Sequence, residues 1–338
     1  MPSFERDSNR IVIAGASSLL GAELKSLLEE SRFAGWDFRL VDEEIAAGTL
    51  TEAGGEPAVI QPVEEGSFEK ARFVFFTGSP QFTRANLPAA HQANATIVDL
   101  SGWMAEYPPK HPAAAEWFVG LDMLRGVETP QDTAIYAIPS AAATTVSALA
   151  LALAPVDLKR LVVTCFQSVS EAGRAGIEEL ESQSSQLLSF QNVGKPVFDA
   201  QVAFSLLDRF GSGSSHSLLK ARRRIRSEVK ACVAAKVNRP AVQVVHAPVF
   251  YGTMFAAWSE IDRGANSQSI LEACKNAGFF ITEEDQSPSN ITAAGESVIQ
   301  MAVPEPDPAQ AGTWWYWGAV DNIRFPAWNA LKLAEKLA

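Results

Sequence analysis

The feature that constrains the fold most is an apolar run followed at once by a glycine-containing loop and a helical pattern. The run is Arg10-Ile-Val-Ile-Ala14, and the loop is Gly15-Ala-Ser-Ser-Leu-Leu-Gly21. Residues 22–30 then carry leucines at helical spacing. A buried strand, a tight turn and a helix in this order predict the first βα unit of a Rossmann-type parallel sheet.

Three further apolar runs extend this pattern along the first third of the chain. They are Phe38–Asp42, Phe73–Phe76 and Thr96–Asp99, and residues between them favour helices. Strands that alternate with helices predict a doubly wound parallel sheet. Residues 45–65 are rich in turn formers and show no regular period.

The pattern changes from about Thr133. Leu161–Phe166 and Ala241–Val245 indicate longer strands with few helices of crossover length beside them, which favours a mixed or antiparallel sheet. Asp321–Ala338 has apolar residues at helical spacing and is predicted to pack back on the N-terminal domain. The fold class is therefore α/β, with a Rossmann-type domain of residues 1–135 and 320–338 and an α+β mixed-sheet domain of residues 136–319.

Composition excludes several classes of partner. The 338 residues include 39 acidic and 28 basic side chains, and a net charge of −11 argues against nucleic acid or an anionic membrane as the main partner. Three widely separated cysteines predict neither a disulfide framework nor a metal site. The polar first ten residues and the short apolar stretch Val146–Val156 favour a cytoplasmic protein without a membrane segment.

The glycine loop is a candidate phosphate-binding turn, because backbone N–H groups at a helix N-terminus attract a pyrophosphate. Ser18 stands where a middle glycine would let the phosphate approach closely, so a tight turn that holds no nucleotide is the alternative. The candidate cofactor-binding residues of this loop are Gly15, Ser17, Ser18, Leu19, Leu20 and Gly21.

The acidic end of the second strand bears on the choice of cofactor. Asp42 is followed by two glutamates and then by Ala46-Ala-Gly48. A carboxylate at this point repels a 2′-phosphate and favours a free 2′-hydroxyl, so NAD is predicted over NADP if a nucleotide binds. The alternative is a solvated acidic loop. The residues alone do not require any cofactor.

Taken in order, five segments resemble aspartate-semialdehyde dehydrogenase over almost the whole chain. They are Val12-Ile-Ala-Gly-Ala-Ser-Ser-Leu-Leu-Gly21, Thr96-Ile-Val-Asp-Leu-Ser101, Phe166-Gln-Ser-Val-Ser-Glu-Ala-Gly-Arg174 with Ile177-Glu-Glu-Leu180, Phe198-Asp-Ala-Gln-Val-Ala-Phe204, and Trp317-Gly-Ala-Val-Asp-Asn-Ile-Arg324. The resemblance implies a Rossmann-type domain, a mixed-sheet catalytic and dimerisation domain, and a homodimer. Enzymes of that family serve amino-acid biosynthesis, oxidising a semialdehyde with NADP and phosphate through a cysteine thioester.

The residues implied by this resemblance are largely replaced. The segment that carries the family nucleophile matches Ala137-Ile-Pro-Ser-Ala141, so Ala141 stands at the nucleophile position. The glutamine that orients the intermediate is retained as Gln167. Cys165 points to the same side of a strand as Gln167, but it is interpreted as a buried apolar cysteine.

Two further catalytic positions fall in His246-Ala-Pro-Val-Phe-Tyr-Gly-Thr-Met254. The substrate-binding arginine becomes His246, which cannot form a bidentate pair with a carboxylate. The histidine base becomes Thr253, which has no useful basicity. On the cofactor side, the resemblance implies roles for Ser170 and Asn322.

With three of four catalytic positions changed, the sequence predicts a homologue that has lost phosphorylating aldehyde dehydrogenase activity, similar to the Usg-like paralogues of the family. It is predicted to be a dimeric binding or regulatory protein that holds a metabolite or pairs with a true dehydrogenase subunit. One alternative is an active NAD(P)-dependent semialdehyde dehydrogenase that uses Ser140, Thr144 or Thr145, although hydroxyls without an adjacent base are weak nucleophiles. A structural interaction module, suggested by the eight tryptophans, is another.

Overall fold

The computed structural model describes residues 9–44, 48, 50–53, 56–106, 114–131, 133–261 and 265–338. Ala46, which falls in the acidic segment considered above, lies outside these residues. The chain divides into two compact units. The first contains residues from 1–119, 128–139 and 326–338, and the second contains residues from 120–127 and 140–325. The domain limits of 135/136 and 319/320 stay a prediction.

A parallel sheet with helices between its strands forms the first unit, as the alternating pattern predicts. The sheet order is β5-β2-β1-β6-β7-β9-β8, and every neighbouring pair is parallel. Its elements are β1 (Arg10–Ala14), α1 (Leu19–Glu29), β2 (Asp37–Asp42), β3 (Leu50–Ala53), β4 (Glu56–Val59), β5 (Gln61–Pro62), β6 (Phe73–Phe76), α2 (Pro80–Gln92), β7 (Thr96–Asp99), α3 (Trp103–Glu106), β8 (Ala114–Glu116) and β9 (Ile135–Ala137).

The turn-rich segment 45–65 contains three short strands. Strands β3 and β4 pair as an antiparallel hairpin, and β5 joins the edge of the parallel sheet beside β2. Each of these strands has four residues or fewer. Such short strands carry too few positions for an alternating pattern to stand out in the sequence.

A mixed sheet forms the core of the second unit, which confirms that prediction. Its order is β11-β10-β12-β16-β14-β13, with β15 beside β16. The elements are α4 (Leu121–Arg125), α5 (Ala141–Leu153), β10 (Arg160–Gln167), α6 (Gly173–Leu188), α7 (Leu218–Val233), β11 (Ala241–His246), β12 (Thr253–Glu260), α8 (Ser267–Asn276), β13 (Phe279–Ile281), β14 (Ile299–Met301), β15 (Glu305–Pro306) and β16 (Thr313–Val320).

The expectation of few crossover-length helices in the second half was wrong. Helices α6 and α7, of 16 residues each, lie in the chain between β10 and β11, which are parallel neighbours. The basic residues of α7 conceal its apolar stripe in the sequence. The stripe is nevertheless present, because Leu218, Ile225, Val229 and Cys232 are all buried.

The two faces of the second sheet differ in burial. Alternate residues of β10 are buried, including Cys165 and Gln167, and α5 lies against β10, β12 and β16. On the other face, Val162, Trp315 and Trp317 are 44%, 49% and 39% exposed. Register connects them, since Val162 and Trp315 both pair with Trp258. This second face therefore presents large apolar side chains that are partly exposed to solvent.

The chain ends in α9 (Arg324–Leu337), whose residues from Pro326 onward belong to the first unit. Its apolar side chains Ala327, Ala330, Leu331, Leu333 and Ala334 share a buried core with Ile11, Leu24 and Phe73. This confirms that the C-terminal helix packs back on the N-terminal domain.

Candidate functional site

The turn between β1 and α1 in the first unit depends on its two glycines. Gly15 has φ +95°, and a Cβ there would lie 2.2 Å from the backbone nitrogen of Gly78. A Cβ on Gly21 would lie 2.6 Å from the Gly15 carbonyl oxygen. No larger residue fits at either position without a shift of the backbone, so α1 approaches the end of the sheet closely.

Ser18 caps α1, and its side chain turns back toward the protein. The hydroxyl accepts a hydrogen bond from the Gly21 N–H at 2.9 Å and donates one to the Thr77 carbonyl at 3.0 Å. Leu19 and Leu20 are the first two helical residues, whose N–H groups have no acceptor inside the helix. N–H groups at this position of a helix are the kind that can bind an anion.

Asp42 is buried beside this loop, and its carboxylate takes part in the turn. One oxygen accepts from the Ser17 N–H at 2.7 Å, and the other accepts from the Glu43 N–H at 2.8 Å. Glu43 and Glu44 are exposed. The three acidic residues therefore differ in role: Asp42 stabilises the loop, whereas Glu43 and Glu44 are exposed to solvent.

In the second unit, three of the predicted catalytic positions form a row across the sheet. Gln167 at the end of β10 pairs with His246 on one side and with Thr253 on the other. All three residues are buried. Gln167, retained in the resemblance, thus stands between the two residues that replace the family's arginine and histidine.

The two replacements have different hydrogen-bond states. The His246 Nε2 lies 3.1 Å from the Val202 carbonyl oxygen, and burial lowers the pKa of this histidine. The ring is therefore neutral at pH 7 and donates to Val202. The Thr253 hydroxyl is buried and has no hydrogen-bond partner among the residues that the structure describes.

Ala141, the predicted nucleophile position, is the first residue of α5, and Ser140 caps that helix. The Ser140 hydroxyl donates to Oε2 of Glu228 at 2.6 Å, and the Ser140 N–H donates to the same oxygen at 3.2 Å. Oε1 of Glu228 accepts from Nε of Arg224 at 2.8 Å. A carboxylate of the chain itself thus occupies the N-terminus of this helix.

Ser170 and Asn322 contact each other in the second unit. The Asn322 amide donates to the Ser170 hydroxyl at 3.0 Å and to Glu171 at 3.1 Å, and its carbonyl accepts from the Gly252 N–H at 2.7 Å. Loss of hydration around the carboxyl group raises the pKa of Glu171, while the Arg224 guanidinium and the Asn322 amide oppose that rise. Part of the Glu171 side chain is nevertheless exposed to solvent.

No cysteine within the described ranges offers a reactive thiol. Cys165, Cys232 and Cys274 are all buried. Burial, with a smaller contribution from Glu171, raises the pKa of the Cys165 thiol to about 12. Burial likewise raises the pKa of Cys274 to about 12. The thiolate that a thioester mechanism needs is therefore absent from Cys165 at neutral pH.

Glu228 is the residue of this region that sequence reasoning missed. The sequence predicted no base beside Ser140, whereas the structure places a carboxylate there, because the fold brings together two residues 88 positions apart. The only local signal was the spacing of four between Arg224 and Glu228, which is also typical of an exposed ion pair on a helix.

Comparisons with known proteins agree over nearly the full length of the chain. The family model described as "Semialdehyde dehydrogenase, NAD binding domain" matches residues 10–146, and "Semialdehyde dehydrogenase, dimerisation domain" matches residues 149–325. A USG-1 protein homolog from Azotobacter vinelandii is 30% identical over 334 residues, with 97% of each chain covered. A USG-1 protein homolog from Pseudomonas aeruginosa is 27% identical, again with 97% coverage of each.

Solved structures give the same result. A probable aspartate-semialdehyde dehydrogenase from Pseudomonas aeruginosa superposes with a TM-score of 0.86 at 25% identity, covering 97% of this chain and 98% of the other. Aspartate semialdehyde dehydrogenase II from Vibrio cholerae, at 22% identity and a TM-score of 0.84, shares the fold.

The chain belongs to the semialdehyde dehydrogenase family. Its similarity to the two USG-1 homologues puts it with the Usg-like members of the aspartate-semialdehyde dehydrogenase group, as its motifs predict. Within the described residues, no helix is both long and apolar enough to cross a bilayer. No group of three or more His, Cys, Asp or Glu side chains in those same residues is arranged to hold a metal ion.

Proposed function

We propose that this protein has lost the phosphorylating oxidation of semialdehydes and acts as a dimeric binding or regulatory protein. The observation that carries the proposal is the state of the α5 N-terminus. Position 141 has no thiol, and the carboxylate of Glu228 is bonded to the helix cap beside it. A thiolate at position 141 would be repelled by this carboxylate, and an anionic intermediate would compete with it for the helix N-terminus.

The other positions implied by the resemblance support the same proposal. His246 is a neutral donor to a backbone carbonyl, so it supplies no cation for a substrate carboxylate. Thr253 supplies a hydroxyl in place of a base. The thiol of Cys165 has a pKa of about 12, so it does not replace the missing nucleophile. Nucleophile, base and cation are thus all missing from the positions that this reaction uses.

We infer that the first unit retains affinity for a nicotinamide dinucleotide. Gly15, Gly21 and the N–H groups of Leu19 and Leu20 fit a pyrophosphate. Asp42 disfavours a 2′-phosphate near the loop, so NAD is proposed over NADP. When bound, the nicotinamide would supply a hydride acceptor. Binding without turnover would make the protein a sensor of the nucleotide.

The open face of the second sheet is proposed as the surface for a second copy of the chain. Val162, Trp315 and Trp317 are large apolar side chains that water contacts in the isolated subunit. The matching family domain is itself described as a dimerisation domain. A true dehydrogenase subunit with the same sheet is the second candidate partner. The proposed compartment is the cytoplasm, since no disulfide joins the three cysteines of the described residues, as is typical of a reducing compartment.

Thermal unfolding with ligands and a turnover assay test the proposal together. The protein is heated with NAD, NADP, phosphate and aspartate semialdehyde in turn, and dehydrogenase activity is measured alongside. We expect NAD to raise the Tm and to cause no turnover. At a hundredfold excess of NAD over Kd, the free energy of unfolding is expected to rise by about 2.7 kcal/mol. Ala141→Cys is expected to stay inactive. Turnover by the unmodified protein, or robust turnover after that single change, would overturn the proposal.

Mass measurement in solution tests the dimer. We expect twice the chain mass for the unmodified protein and the chain mass for a variant with Trp315→Glu and Trp317→Glu. Met123→Glu is the matched control, because Met123 is 65% exposed in the same unit but lies on α4. A monomer without any substitution would contradict the proposed interface.

A further inference from the structure

The hydroxyl of Ser140 is in an unusual state for a helix cap. It donates to a carboxylate oxygen of Glu228 at 2.6 Å, within the range of a charge-assisted O–H···O⁻ bond. A nucleophilic hydroxyl and its general base need a separation of about 2.6–3.2 Å. The pair therefore has the geometry for transfer of the Ser140 proton to Glu228.

The base is held in place by a third group. Nε of Arg224 donates to Oε1 of Glu228 at 2.8 Å, which leaves Oε2 directed at Ser140. Glu228 is only 6% exposed, while Ser140 is half-buried. Nucleophile, base and an orienting group thus follow one another in the order found in serine-dependent acyl transfer.

Helix α5 supplies donors for the charge that acyl transfer creates. Its first two residues after the cap are Ala141 and Ala142, whose N–H groups have no acceptor within the helix. Once Glu228 has taken the Ser140 proton it is neutral and no longer opposes an anion, so these N–H groups can stabilise a developing oxyanion that forms beside them. Both side chains are small methyl groups, so they add little bulk next to the hydroxyl.

Three other serines show that capping alone does not create this arrangement. Ser18, Ser79 and Ser217 cap α1, α2 and α7, and each accepts a backbone N–H as Ser140 does. Ser18 donates to the neutral carbonyl of Thr77. In the part of the chain that the structure describes, none of the three hydroxyls bonds to a carboxylate. Ser140 is the activated member of the set.

We propose that Ser140 is a nucleophile toward activated esters and thioesters of carboxylic acids. Ser140 Oγ forms a bond to the acyl carbon as its proton moves to Oε2 of Glu228, and the bond to the leaving alkoxide or thiolate breaks as that group takes the proton. Water then attacks the Ser140 ester, gives a proton to Glu228, and releases the acid and the serine hydroxyl. Arg224 is a positioning residue for Glu228. This activity needs no nucleotide and does not rest on the proposed function.

Labelling of the full-length protein tests the proposal, with a fluorophosphonate as the probe and adducts mapped by mass spectrometry. We expect one rapid adduct, on Ser140, and a stoichiometric burst of nitrophenol from p-nitrophenyl acetate. Glu228→Gln keeps the size of the side chain and removes the base, so the labelling rate is expected to fall about 100-fold or more. Ser140→Asn retains a good helix cap and is expected to lose the adduct.

Two comparisons keep the result independent of misfolding. Arg224→Lys, which keeps a cation near Glu228, is expected to retain most of the labelling that Arg224→Ala loses. In the unmodified protein, the adduct on Ser140 is compared with that on Ser79, which is more exposed. Equal labelling of the two serines, no adduct on Ser140, or an unchanged rate in Glu228→Gln would each overturn the proposal.

Discussion

The N-termini of α1 and α5 are alike, but the nearby carboxylate binds different donors in the two. Each helix begins after a serine cap, Ser18 in the first unit and Ser140 in the second, and each has a carboxylate nearby. Beside α1, Asp42 accepts the N–H of Ser17, the residue before the cap. Beside α5, Glu228 accepts both the N–H and the hydroxyl of the cap itself.

The carboxylate beside α1 binds the residue before the cap, and the carboxylate beside α5 binds the cap itself. This difference changes what each helix N-terminus can do. The Ser18 hydroxyl is directed to a neutral carbonyl, and the turn around it is the proposed site of an anionic ligand. At α5 the chain supplies its own anion, so a second one is opposed, and the cap hydroxyl is polarised instead. Whether a helix N-terminus can accept an anionic ligand therefore depends on which N–H or O–H donor the nearest carboxylate of the protein already binds.

The largest effect that would break this comparison is expected from Gly15→Ala. The new methyl group would meet the Gly78 backbone at 2.2 Å in a conformation with φ +95°. Steric overlap and the unfavourable backbone conformation together are expected to destabilise the protein by about 3–5 kcal/mol. Urea denaturation measures this free energy. Gly35→Ala is the control, because a Cβ there meets nothing within 4 Å, and an equal loss in both variants would contradict the argument.

Glu228→Ala is expected to have the next largest effect. It removes the carboxylate that Nε of the half-buried Arg224 contacts at 2.8 Å, and it removes the acceptor of the Ser140 N–H. Loss of a buried charged partner is expected to reduce the free energy of unfolding by about 2–4 kcal/mol. Glu178→Ala, at an exposed position of α6, is expected to change it by less than about 0.5 kcal/mol. A small effect for Glu228 would mean that its contacts add little to the fold.

Asp42→Ser sharpens the comparison at the α1 loop. Removing the carboxylate is expected to shift the ratio of NADP to NAD affinity toward NADP by about tenfold, or about 1.4 kcal/mol. Isothermal titration of both nucleotides, with and without the change, gives the ratio. Glu43→Ser, at the exposed neighbouring position, is expected to shift it less. An unchanged ratio in Asp42→Ser would show that the carboxylate does not select the nucleotide.

The smallest effect concerns pH. Burial lowers the pKa of His246 in the folded protein, and the bond to the Val202 carbonyl opposes this only in part. The unfolded chain therefore takes up the proton first, so stability is expected to fall as the pH drops through about 6.5, the ordinary value for histidine. Urea denaturation at pH 7.5 and 5.5 measures this loss. His246→Gln should reduce it, whereas His91→Gln, at an exposed position, should leave it unchanged.

Local pattern was sufficient for much of the fold. The apolar runs at Arg10–Ala14, Phe73–Phe76 and Thr96–Asp99 coincide with β1, β6 and β7, because buried parallel strands are apolar throughout. The packing of helix α7 was harder to predict. A run of basic residues is typical of a solvent-exposed helix face, but in the structure some of them bond to other residues of the unit. Arg222, for example, bonds to Gln243, and Arg226 bonds to the Val242 carbonyl.

Only those residues of the candidate site that align with motifs of the family could be predicted from the sequence. Alignment to the family motifs selects Gln167, His246 and Thr253, and the register of three strands brings them together. Glu228 lies in a basic run and matches no motif that the resemblance supplied. Its contact with Ser140 depends on how α7 packs beside α5, and tertiary packing of this kind leaves no spacing in the sequence.

The C-terminal helix has a consequence for the order of folding during synthesis. Residues 326–338 complete the core that residues near the start of the chain begin, and Arg72 bonds to the carbonyls of Leu337 and Ala338. All segments of the second unit end by residue 325. During synthesis, therefore, residues 120–325 are all made before residues 326–338, which complete the core of the first unit. This reverses the N-to-C order in which domains usually fold.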